Sequence, residues 1–86
     1  MELLVVSQKG CAPCKLVKNH LNVNGVEYKE FNITTQDSIE IESQTFTVDD
    51  LGVMSTPVTI LFDGDEEIAR VAGFNTDELN VLASQI

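Results

Sequence analysis

The only thiols in the chain are Cys11 and Cys14, spaced C-x-x-C. Such a pair can staple a fold, hold a metal or exchange electrons. A staple this short closes a four-residue loop, for which chain entropy offers only about 2 kcal/mol. Zinc needs two further soft or imidazole ligands. The chain has one histidine, His20, and no third cysteine. Reversible thiol–disulfide exchange is therefore the leading reading, with no metal expected.

The elements around the pair favour that chemistry. Leu3–Val6 is a continuous apolar run, the mark of a strand buried on both faces. Ser7–Gly10 is a loop that delivers the chain to Cys11. Pro13 suits the first turn of a helix, where its missing N–H costs nothing, and Ala12 adds no polar group. Leu16, Val17 and Leu21 continue at helical spacing, and Asn24-Gly25 ends the helix. Cys11 then sits at a helix N-terminus, where free N–H groups and the dipole favour a thiolate. Lys9 and Lys15 add positive potential, although exposed charges are screened. Cys14, one turn inside, is expected to be more buried. Cys11 is the expected nucleophile, and Cys14 resolves the mixed disulfide.

Val26, Tyr28, Phe31 and Ile33 suggest a second strand whose alternation slips by one. Strand, helix and strand in this order make a parallel βαβ unit. The segment 36–50 is read as a short or irregular helix, because Ile39 and Phe46 stand one heptad apart and Gly52 is a plausible stop. Ile39-Glu40-Ile41 nevertheless alternates like a strand. Val58–Phe62 and Glu67–Ala72 flank the turn Asp63-Gly64-Asp65 as an antiparallel hairpin. Asn75 is an N-cap with Glu78 in capping-box position. Leu79, Leu82, Ala83 and Ile86 form one helical face. His20 is a boundary residue of the first helix.

The chain has 86 residues, 43% of them hydrophobic, and a net charge of −9. That length makes one domain, 1–86, with one core, and the composition excludes disorder. Fourteen acids against five bases exclude a phosphate-neutralising surface, so no nucleic-acid partner is expected. No apolar run can span a membrane and no leader is visible, so the expected location is cytoplasmic. The charge is uneven: residues 1–29 carry +2 and residues 30–86 carry −11. The bases cluster near the dithiol.

Cys11-Ala12-Pro13-Cys14 is similar to a thioredoxin active site with Ala in place of Gly. Val53-Met54-Ser55-Thr56-Pro57-Val58 resembles the segment before that family's cis-proline strand, and Gly73 matches a glycine common after the last strand. The whole chain thus resembles the thioredoxin/glutaredoxin superfamily. The resemblance implies an α/β thioredoxin fold, with a four-stranded mixed sheet of order 2-1-3-4 and about three helices. It implies that Pro57 is cis, that Pro57 and Thr56 form a substrate platform, and that Gly73 and Phe74 border it. Phe74 is read either as core or as an exposed apolar contact beside the dithiol.

The departures matter as well. Gly10 and Val5 occupy the positions of the usual tryptophan and buried aspartate of thioredoxins. The tyrosine and full glutathione motif of glutaredoxins are absent, and Gly73-Phe74-Asn75-Thr76-Asp77 matches that motif only in part. The expected function is reduction of protein disulfides by a small monomeric electron donor, with no cofactor required. Thioredoxin reductase or glutathione would supply electrons. Ribonucleotide reductase is the family-level candidate substrate. The alternatives are a glutathione-dependent glutaredoxin and a redox-inactive binding module.

Overall fold

Leu3, Leu4, Val5 and Val6 are all buried in the first strand, β1 (Glu2–Ser7). Period-two geometry sends alternate side chains to opposite faces, so both faces of this strand must be covered. The computed structural model describes all residues, Met1–Ile86, and shows how. β1 is central in a four-stranded sheet of order β2-β1-β5-β6, with β2 (Lys29–Asn32), β5 (Val58–Asp63) and β6 (Glu66–Ala72). β2 is parallel to β1, and β5 is antiparallel to both β1 and β6. Helices α1 (Ala12–Val23) and α3 (Thr76–Ala83) complete the two halves. With the four sheet strands counted alone, this is the expected 2-1-3-4 order. No helix is long and apolar enough to cross a membrane.

Leu3, Val5, Leu61 and Val71 pack on one side against Val17 and Leu21 of α1 and Leu79 and Leu82 of α3. Leu4, Val6, Phe31, Val58, Ile60 and Phe62 face the other side, where Ile41 and Leu51 cover them. The slipped alternation around β2 follows from this division. Val26 and Tyr28 pack against the α1 side, whereas Phe31 and Ile33 pack on the opposite one.

The segment 36–50 corrects the expected helix. Ser38–Ile41 (β3) and Gln44–Thr47 (β4) pair antiparallel as a separate two-stranded sheet. Only Val48–Leu51 (α2) is helical. Its ends are well satisfied. Thr47 and Asp50 form a reciprocal capping box, and Arg70 donates to the Leu51 carbonyl at 2.7 Å. The hairpin wins because its turn brings Ile39 opposite Phe46. Both then pack onto the second face of the main sheet.

Two apolar assignments change. Leu16 is on the solvent side of α1, which buries Cys14, Val17 and Leu21 instead. Ile86 lies beyond α3 and is exposed, and Ala83 is only half-buried. Asn75 does cap α3, accepting from the Glu78 N–H at 3.0 Å.

Candidate active site

β1 ends at Ser7, and Gly10 takes φ +75, a left-handed conformation that glycine adopts without strain. This turn sets Cys11 at the N-cap of α1. Ala12 and Pro13 follow, both exposed, at the first two helical positions. Cys11 and Cys14 form a disulfide, S–S 2.06 Å. Cys11 is 9% exposed and Cys14 only 1%. Of the two, Cys11 is the more accessible.

The Cys11 sulfur has two donors. The Cys14 N–H reaches it at 3.2 Å and the Thr56 hydroxyl at 3.6 Å. In the reduced protein these donors would serve the Cys11 thiolate, for which a disulfide sulfur is here the stand-in. Helix charges add to this. α2 and α3 carry acids in their first turns, Asp49 and Asp50 in one and Asp77 and Glu78 in the other. α1 carries none. Its positive N-terminal end is left for the sulfur of Cys11 rather than neutralised by a carboxylate.

The second loop meets the first through Thr56. The Thr56–Pro57 peptide bond is cis, and Pro57 is buried. The Gly73 N–H donates to the Pro57 carbonyl at 2.8 Å, tying the end of β6 to the start of β5. Phe74 follows, 40% exposed, with its ring edge-to-face on His20 at 6.2 Å. His20 in turn bonds Asn80 of α3 at 2.9 Å. Cys11, Cys14, Thr56, Pro57 and Gly73 are thus joined by direct bonds, whereas Phe74 lies one residue outside that group.

The lysines divide into two kinds. Lys18 pairs with Glu30 at 2.8 Å and Lys29 with Glu2 at 4.0 Å. Lys9 and Lys15 are exposed and in no ion pair. Both are held by the backbone alone, the Lys9 N–H donating to Thr34 Oγ1 at 2.9 Å and the Lys15 N–H to the Cys11 carbonyl at 3.4 Å. Of the four N-terminal lysines, these two have no acidic partner.

Glu30 was not singled out by sequence reasoning, because its partners come from distant elements. It accepts from Lys18 on α1 and, at 2.7 Å, from the buried Ser7 hydroxyl at the end of β1. The hydrogen bond from Lys18, then that from Ser7, holds its pKa below the ordinary 4.5, against a smaller opposing effect of burial. A lowered carboxylate pKa contributes stability that is complete above the unfolded value and is lost as pH falls through the folded one. Glu30→Gln is expected to cost under about 1 kcal/mol at neutral pH, since the pair is partly solvated. Urea unfolding as a function of pH checks this. The gap between variant and wild type should close at acid pH, and a gap that persists there contradicts the assignment.

The geometry is matched among known proteins. The glutaredoxin family model matches residues 3–68. A prophage-derived thioredoxin-like protein of Bacillus subtilis, YosR, is 32% identical over 87 residues, covering 100% of this chain and 99% of that protein. The crystal structure of the thioredoxin-like protein BC3987 superposes with TM-score 0.67 at 28% identity, covering 94% of this chain and 99% of that one. Thioredoxin 1 of Thermosipho africanus shares the fold at TM-score 0.66 and 19% identity, covering 99% and 92%.

Proposed function

Because this chain belongs to the glutaredoxin family of thioredoxin-like proteins, we propose that it reduces protein disulfides through Cys11 and Cys14. Membership and the closed Cys11–Cys14 pair support a thiol–disulfide oxidoreductase. The observation that carries the finer reading is the asymmetry of the pair: Cys11 keeps slight exposure and its sulfur has two donors, whereas Cys14 is almost wholly buried.

The Cys11 thiolate attacks one sulfur of a substrate disulfide. A Cys11–substrate bond forms, the substrate S–S bond breaks, and one substrate thiolate leaves and takes up a proton. Cys14, as thiolate, then attacks the Cys11 sulfur. The Cys11–Cys14 bond closes and the second substrate thiolate departs. Two electrons have passed to the substrate. Thr56, whose hydroxyl reaches the Cys11 sulfur, and Pro57 after it form the platform for the extended substrate segment, with Gly73 and Phe74 at its edge. Lys9 and Lys15 support the thiolate from the flanks. No metal or organic cofactor enters these steps.

Thioredoxin reductase is the proposed electron source, and a disulfide-bearing protein such as ribonucleotide reductase the proposed substrate class. The Ala12-Pro13 insert and the incomplete glutathione motif favour this over glutathione. Insulin-disulfide reduction should proceed with NADPH and thioredoxin reductase, and run at least about tenfold slower with glutathione and its reductase. The reverse ranking makes the protein a glutathione-dependent glutaredoxin.

A further inference from the structure

Thr59 is the one buried side chain whose hydroxyl has no hydrogen-bond partner. It is fully buried, in the middle of β5. Such a group normally finds a partner, and leaving it unpaired is costly. Its surroundings identify the partner it lacks.

Thr59 stands opposite Val5 on β1 and Val71 on β6, and Val5 stands opposite Glu30 on β2. Residues directly opposite one another share a face. Val5 and Val71 pack against Val17 and Leu21 of α1, so Thr59 also faces α1. Cys14 lies on that same buried stripe, one turn before Val17 and Lys18. Lys18 bonds Glu30, which fixes the second turn of α1 over this row. Thr59 is also only two residues beyond Pro57, and Thr56 contacts the Cys11 sulfur. The unpaired hydroxyl therefore lies on the face of the sheet that α1 covers, the face to which the buried Cys14 belongs. Ser7, the other buried hydroxyl, already donates to Glu30.

We infer that Thr59 is a positioning residue for the Cys14 sulfur: its hydroxyl, unpaired while the disulfide is closed, donates to Cys14 once the disulfide opens. In the closed form the Cys14 sulfur is bonded to Cys11, carries no charge and takes no hydrogen bond from Thr59. Taking up two electrons breaks that bond and leaves a thiolate or thiol in the same buried space, with no bulk water to serve it. Thr59 is then satisfied and Cys14 solvated by the same bond. The hydroxyl thus disfavours the oxidised form and favours the reduced one. This rests on the proposed redox function of the pair.

Thr59→Val keeps the shape and removes the hydroxyl, whereas Thr59→Ser keeps the hydroxyl. The dithiol of each is equilibrated with glutathione buffers of known composition. Thr59→Val is expected to lower the equilibrium constant for reduction about tenfold, a potential more negative by about 30 mV for a two-electron couple. Thr59→Ser should stay within threefold of wild type. Urea unfolding of both redox forms is the companion measurement. The variant Thr59→Val should lose stability in the reduced form relative to the oxidised one. Equal changes in both forms, or an unchanged constant, overturn the inference. A wild-type pair that does not exchange with glutathione or dithiothreitol overturns the functional reading instead.

Discussion

Cys11→Ser is expected to abolish disulfide reduction, with a loss on the order of 10³-fold or more, the scale seen when a catalytic nucleophile is removed. A hydroxyl cannot replace the thiolate. Near neutral pH an ordinary thiol is already a few per cent ionised, and the position of Cys11 at a helix N-terminus with two donors favours ionisation further. Serine offers no comparable anion. Cys14→Ser should fail differently. Cys11 still attacks, but residue 14 can no longer displace the substrate. One turnover leaves a mixed disulfide on Cys11, visible by mass spectrometry as an adduct that dithiothreitol removes. Steady reduction by Cys14→Ser without any adduct would contradict the assigned order of attack. A double Cys→Ser protein that keeps its partner and its cellular role would instead identify a binding module.

The dithiol was legible because each device that positions it is local. A doubly buried strand, a glycine, a proline in the first turn and the C-x-x-C spacing all fall within Leu3–Cys14. The order of the four main strands was legible through the family resemblance and the right-handed βαβ rule. The β3–β4 hairpin was misread for a specific reason. Its turn carries Glu42 at φ +57, a conformation in which glycine or asparagine is the usual signal. Without that signal, the seven-residue separation of Ile39 and Phe46 looked like a heptad. It is in fact the separation of cross-strand partners. Thr59 was hidden differently. Threonine is β-branched and strengthens a strand signal, so Val58–Phe62 read as uniformly core-forming. That its hydroxyl has no partner is visible only once the sheet register and α1 are in place. Glu30 likewise needs β1, β2 and α1 together before its two donors meet.

The hairpin also explains why so short a chain can afford a central strand buried on both faces. One helical layer, α1 and α3, covers a single side. Without Ile41, Leu51, Ile39 and Phe46, the side chains of Leu4, Val6, Phe31 and Ile60 would meet water. Ile41 is fully buried, so Ile41→Ala removes apolar contact and leaves a cavity. Such changes cost about 2–5 kcal/mol, against a total of roughly 4–13 kcal/mol for a chain of this length. The urea midpoint of the oxidised protein should therefore fall steeply, with a melting temperature lower by about 4–8 °C per kcal/mol lost. A loss below about 1 kcal/mol would mean that β3 and β4 do not seal this face. The dithiol provides an internal control. Cys14 packs on the α1 side of the sheet and Ile41 on the other. The variant should therefore keep its potential and its rate per folded molecule, measured well below its melting temperature. Lost stability with an intact dithiol assigns the hairpin to the support of the sheet, and leaves the chemistry to the opposite face.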